Sequence, residues 1–173
     1  LGPSAAGKST LLPQMQVPLG ALVVDGGLVR QVSASWRKGL DLAKSRELAG
    51  FSDVFEKYFK APMDELKTTI LEDSIRKHVN LIVPDTASNF SATTKMIEKL
   101  RAAGYQMRFA AVYGDEEVLK SRGQARASEE GKQFTGKNWQ SSVQAILKLQ
   151  EYLESTGLVK DCGPVDVIDN SGS

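Results

Sequence analysis

The sequence predicts an α/β fold, a parallel sheet with helices on both faces, and three observations carry that prediction. The chain opens on a glycine-rich segment, Gly2-Pro3-Ser4-Ala5-Ala6-Gly7-Lys8-Ser9, in the pattern G-x-x-x-x-G-K-[ST]. Four short apolar runs follow, around residues 21–25, 80–85, 107–113 and 165–169. Stretches with helical spacing lie between them. Continuous apolar runs, rather than alternating ones, suit strands covered on both faces, and a β–α alternation suits a parallel sheet.

The glycine-rich segment has a direct physical reading. Glycines permit tight turns and close backbone approach, so successive N–H groups can wrap a chain of phosphates while the following helix directs its positive end at the anion. On this pattern the nucleotide-holding residues are Gly2, Ser4, Ala5, Ala6, Gly7, Lys8, Ser9 and Thr10. Lys8 reaches the β- and γ-phosphates, and the Ser9 hydroxyl is a ligand for Mg²⁺. This is the P-loop NTPase/kinase arrangement, and it predicts ATP and Mg²⁺ as cofactors. Such a loop needs a strand before it. Only Leu1 precedes it here, so the first strand is expected upstream of residue 1 and the chain is expected to be part of a longer one.

The apolar runs begin with Ala21-Leu22-Val23-Val24-Asp25, bounded by Gly20 and Gly26-Gly27. Asn80 to Asp85 repeats that layout, Met107 to Tyr113 supplies a third strand and Val165 to Asp169 a fourth. Helices are predicted over Met63 to Val79 (Leu66, Ile70, Ile75, Val79), Ser91 to Ala103 (Met96, Ile97, Leu100) and Gln140 to Ser155 (Val143, Ile146, Leu147, Leu153). Gly104 and Gly157 stand where helix C-termini favour glycine. Pro13 falls inside the helix after the loop and predicts a short or kinked helix there.

Composition bounds the class. With 173 residues the chain is expected to form a single domain, 1–173, able to bury roughly two thirds of its unfolded surface. Apolar residues make up 41% and charged residues 25%, ordinary for a globular protein. A net charge of +1 argues against a general nucleic-acid binder. No apolar run approaches the ~18 residues needed to cross a membrane. The single cysteine, Cys162, excludes an internal disulfide and suits a reducing, cytoplasmic compartment. It reads as a small packed residue rather than a nucleophile. The lone histidine, His78, at a helix end, argues against a triad or a histidine metal site. Trp36, Phe51, Phe55, Tyr58 and Phe59 read as core or as the wall of a substrate pocket.

Beyond the loop, Asp25 closes a strand at the carboxyl edge where open α/β sheets place ligands. There it serves either as the base for a substrate hydroxyl or as the N-cap of a helix starting near Gly26. Asp85 closes the next strand after Leu81-Ile82-Val83, as a carboxylate serving Mg²⁺ does. Pro84, Thr86, Ser88 and Asn89 around it fit a simple turn equally well. Arg30 is open to contact with a substrate phosphate or to a surface position. The segment from Lys120 to Lys132 gathers cations around Gly123 and Gly131, with Arg122 and Arg126 four apart. Beside a phosphate loop it reads as a lid whose arginines neutralise the migrating phosphoryl group, and alone it reads as a solvated face.

With the loop, the run Val24-Asp25-Gly26-Gly27-Leu28-Val29-Arg30 and the Arg122-x-x-x-Arg126 lid in view, the chain resembles the zeta-toxin-like P-loop kinases. The stretch Asn80 to Tyr105 and Glu130-Gly131-Lys132 add to the likeness. The resemblance implies ATP- and Mg²⁺-dependent phosphorylation of a hydroxyl on a small molecule or nucleotide-linked metabolite. UDP-N-acetylglucosamine is the substrate associated with family toxins. It implies Lys8, Asp25, Arg122 and Arg126 as catalytic residues, Arg30 and Thr86 at the substrate, and Ser9 and Asp85 at the metal. It also implies a neutralising antitoxin-like partner, and delivery to a host cytosol if the toxin is secreted. The family commonly shows Asp-x-Asp where this chain has Asp25-Gly26-Gly27, so the second acid is replaced by Gly27. The alternatives are a nucleotide-binding module read by a partner, a polynucleotide 5′-hydroxyl kinase, and an NTPase that drives motion.

Overall fold

The computed structural model describes residues 1–46, 54–130 and 139–172. Phe51, Gly131 and Lys132 lie outside them. The chain divides into two compact units, one of residues 1–11, 84–123 and 135–173, the other of residues 12–83 and 124–134.

In the first unit, β3 (Ala110–Tyr113) pairs in parallel with β4 (Asp166–Asp169), Ala110 opposite Asp166 and Tyr113 opposite Asp169. The start of the chain runs along the other side of β3. The Val112 N–H donates to the Leu1 carbonyl at 2.8 Å, and the Gly2 N–H donates to the Asp85 carbonyl at 3.1 Å. Leu1-Gly2 is therefore held between β3 and the segment that follows residue 83. Three helices cover this unit's core: α5 (Phe90–Ala102), α7 (Trp139–Ser155) and the short α8 (Val159–Cys162).

Burial on α7 falls on Ser142, Ala145, Ile146, Leu149 and Leu153, one face at helical spacing. Of these, Ile146, Leu149 and Leu153 cluster with Ile97, Ala111, Leu158, Cys162 and Val165. Ile146 and Leu153 are inside as predicted, but Leu147 is 66% exposed and Leu149 is buried instead. Burial pushes the Cys162 thiol up in pKa, and its S–H lies 3.1 Å from the Leu158 carbonyl. It is a packed residue. α5 stops as expected. Gly104 adopts φ +80, its N–H donates to Arg101, and the Tyr105 N–H donates to Leu100, satisfying carbonyls the helix leaves open.

In the second unit, β1 (Leu22–Val23) pairs in parallel with β2 (Leu81–Ile82). All four predicted strands form, in two parallel pairs, although the regular part of each is shorter than its apolar run. α2 (Gly26–Val32) follows β1, capped by Asp25, and α3 (Ala34–Ser45) follows with Ser33 as its cap. A π turn over Phe55–Phe59 leads into α4 (Lys60–Arg76). Trp36, Phe55 and Met63 form the core here, with both phenylalanine rings, Phe55 and Phe59, edge-on to Trp36 at 5.2 Å. Of the predicted aromatic cluster, Trp36, Phe55 and Phe59 are therefore core and Tyr58 is exposed, while Phe51 lies outside the described residues. Leu66, predicted on the inner stripe of α4, is 47% exposed.

Helix α1 runs from Lys8 to Leu19, straight through Pro13. The ring removes one backbone donor and is itself exposed, so the helix continues past it.

α4 closes on His78 at φ +51, with His78 N–H on Ile75 and Val79 N–H on Ser74. That is the glycine-favouring cap geometry carried by a residue with a Cβ. We expect His78→Gly to raise stability by about 0.5–1 kcal/mol in urea unfolding; a loss of stability would show that the His78 ring contributes more than the strain it brings. Gly2 sits at φ +136, and a Cβ there would lie 1.9 Å from the Val112 carbonyl oxygen. Gly2→Ala is expected to cost at least about 2–3 kcal/mol, read as a fall in melting temperature, because backbone cannot yield as a side chain can.

Candidate phosphate-binding site

The loop between Leu1 and helix α1 changes backbone hand repeatedly. Gly2, Ala5 and Gly7 have φ of +136, +65 and +89. Alternating right- and left-handed residues turn successive N–H groups towards one side, which makes an anion-binding concavity. Ala5 holds the left-handed conformation without being glycine, a local strain of the kind concentrated at functional loops. Ala6 is fully buried against Val112 and Leu119, with Leu11 and Trp139 beside it, so the loop is packed from below. Within the loop, Ala6 N–H donates to Pro3 at 3.3 Å and Thr10 N–H to Gly7 at 3.0 Å. Ser4, Ser9 and Thr10 are exposed.

Lys8 begins α1 and folds its side chain back over the loop. Its Nζ lies 2.5 Å from the Gly2 carbonyl and 2.7 Å from the Pro3 carbonyl. The ammonium therefore stands at the loop itself, fixed by two main-chain oxygens. α1 adds the partial positive charge of its N-terminus at the same place.

Asp85 serves the loop in two ways. Its carbonyl takes the Gly2 N–H, and its Oδ1 accepts from the Ala87 N–H at 3.0 Å, fixing a tight turn with Ala87 at φ +53. Thr86 Oγ1 lies 3.1 Å from Ser88 Oγ. One carboxylate oxygen of Asp85 is thus engaged in the turn that the neighbouring polar residues suggest.

Arg122 lies in α6 (Glu116–Glu130). Its Nη1 donates to the Asn170 carbonyl at 2.9 Å and its Nη2 to the Gly172 carbonyl. In this conformation the guanidinium holds the segment after β4. Asp169 Oδ1 fixes the same segment, accepting from Ser171 N–H at 2.9 Å and Ser171 Oγ at 2.6 Å. Those bonds hold the Asp169 carboxyl below the usual range. Trp139 Nε1 donates to Gly114 at 3.1 Å, tying α7 to the end of β3.

The second unit carries the other predicted residues. Asp25 caps α2, its Oδ1 accepting from the Gly27 N–H. A Cβ on Gly27 would lie 2.8 Å from that oxygen. The cap and the glycine therefore belong together: a bulkier residue at 27 would crowd the carboxylate. Arg30 is only 9% exposed, with its guanidinium 5.5 Å from the centre of the Phe55 ring, so it is not a surface arginine. Arg126 is exposed on α6. Sequence reasoning missed Asn170, Gly114 and Trp139, whose roles rest on contacts distant in the chain.

A model of the zeta toxin family matches residues 2–172. No curated protein matches the chain. A chain from the structure of the PezAT chromosomal toxin-antitoxin system of the human pathogen Streptococcus pneumoniae is similar in fold, with a TM-score of 0.64 at 19% identity. The match covers 98% of this chain and 65% of that one, so this chain spans just under two thirds of its length. With a phosphate loop closed over Lys8 and a family match along nearly its whole length, the chain belongs to the zeta toxin family.

Proposed function

We propose that this chain is an ATP- and Mg²⁺-dependent kinase that phosphorylates a hydroxyl of a small molecule or nucleotide-linked metabolite. The observation that carries the reading is the loop from Gly2 to Thr10, with Lys8 Nζ bonded across its own Gly2 and Pro3 carbonyls. Family membership supports it, and phosphoryl transfer asks of a protein mainly positioning and charge, which such a loop supplies.

Ser9 and Asp85 would hold Mg²⁺. A hydroxyl and a carboxylate are the hard oxygen donors this ion takes in small number beside substrate phosphates. Among the described residues no cluster of three or more histidine, cysteine or acidic side chains forms a metal cage. The ion, when bound, neutralises phosphate charge. Lys8 and the loop amides hold the β- and γ-phosphates. Asp25 takes the proton from the acceptor hydroxyl with the carboxylate that also caps α2. Arg126 neutralises the transferring group, while Arg122 keeps the segment after β4 in place. Arg30 and Thr86 are assigned to the acceptor, Arg30 held near Phe55 so that its charge is fixed in direction.

The similar fold from a toxin-antitoxin system supports a neutralising protein partner and a cytoplasmic site of action. A second reading, a nucleotide-binding module whose state a partner reads, is favoured by one observation: Asp25 is engaged as a cap where Gly27 replaces a second acid.

The test is transfer from γ-labelled ATP with Mg²⁺ to a panel of UDP-sugars, nucleosides and 5′-hydroxyl oligonucleotides. Label on one acceptor class is the expected result, abolished by Lys8→Ala. Asp25→Asn should leave ATP affinity within about twofold and lower turnover by about 10²–10⁴-fold; near-native turnover would remove Asp25 as the base. ATP bound with no labelled acceptor would favour the module.

A further inference from the structure

Asn170 lies one residue beyond β4, and several parts of the first unit converge on it. Its N–H donates to the Tyr113 carbonyl at 2.9 Å, adding a rung to the β3–β4 ladder. Its carbonyl accepts from Arg122 at 2.9 Å. Gly114 passes so close to that carbonyl that an added Cβ would stand 3.1 Å from the oxygen. These contacts use the main chain and fix where the residue sits. The side chain is left to do something else: its Nδ2 donates to the Ala6 carbonyl at 3.0 Å, a contact 164 residues apart in sequence.

Ala6 belongs to the phosphate loop, and the contact has a geometric consequence. The Ala6–Gly7 peptide is trans, as no cis bond occurs among the described residues, so its carbonyl and its N–H point in opposite directions within one plane. Fixing the Ala6 carbonyl on Asn170 therefore turns the Gly7 N–H the other way, away from Asn170. The carboxamide also occupies the space a side chain at position 7 would need, since a Cβ on Gly7 would meet Nδ2 at 2.4 Å. Because the partner is a carbonyl, only the amide end of Asn170 can make this bond.

We propose that Asn170 is a positioning residue for the phosphate loop: by holding the Ala6 carbonyl, its carboxamide orients the Gly7 N–H to donate to a bound phosphate. The assignment rests on the reading that the loop binds a nucleoside triphosphate. It adds a residue from the far end of the sequence that no spacing within the loop motif reveals.

Asn170→Ala and Asn170→Asp test it, because both keep the main-chain bonds to Tyr113 and Arg122. The aspartate keeps the shape but sets an acceptor against the Ala6 carbonyl. Affinity for Mg²⁺-ADP and for inorganic tripolyphosphate is measured by calorimetry, with melting temperature in parallel. Leu153→Ala, which weakens the core of the same unit without touching the loop, is the stability control. The expected result is about tenfold weaker binding of both probes in Asn170→Ala and a larger loss in Asn170→Asp, with Leu153→Ala binding as wild type. Asn170 variants within twofold of wild type would overturn the assignment. So would a loss of affinity that Leu153→Ala matches, since binding would then follow stability alone. Wild-type protein that binds neither probe would instead overturn the nucleotide reading itself.

Discussion

Two main-chain hydrogen bonds govern the arrangement of the first unit. Val112 donates to the Leu1 carbonyl on one side, and Gly2 donates to the Asp85 carbonyl on the other. They hold the entry to the phosphate loop as if it were a strand, with β3 as one neighbour and the turn at Asp85 as the other. The fit leaves no space for a side chain at Gly2, whose backbone passes against Val112. The loop's geometry follows from there: Ala6 packs on Val112 and Leu119, α1 starts at Lys8, and the lysine returns to the carbonyls of Gly2 and Pro3. A loop made largely of small residues has little side-chain packing of its own, so its shape is imposed by what flanks it.

The segment after β4 is the second support. Asp169 and Ser171 fix its turn, Arg122 clamps its carbonyls from α6, and Asn170 extends to the loop. A strand end, a helix and the phosphate loop are thus joined by polar contacts on main-chain carbonyls. Such contacts are directional in a way that apolar packing is not, and directional contacts suit a site where amide groups must face one way.

Local features were legible in the sequence for a local reason. The phosphate loop, the four apolar runs, the stop at Gly104 and the cap at Asp25 each depend on residues within a few positions of one another. Where a reading needed the other side of a contact, sequence left it open or misjudged it. Periodicity on α7 identified the helix and placed Ile146 and Leu153 inside, but did not choose between Leu147 and Leu149, which are both apolar; Leu149 is the one that joins the core. Arg30 was undecided between a site and the surface; its burial beside Phe55 depends on two helices meeting. Pro13 did not end α1, since one missing donor on an exposed helix face is tolerated.

By itself, then, the sequence determined the α/β class, the phosphate loop with Lys8 and Ser9, the four apolar runs that carry the strands and the helix stop at Gly104, because short-range backbone geometry and glycine's freedom are written in adjacent residues. Tertiary structure alone decided the partners of Arg122, the engagement of Asp85 with Gly2 and Ala87, and the contact of Asn170 with Ala6. Those join residues far apart in the chain, and no pattern of neighbouring side chains specifies which distant carbonyl a given donor will meet.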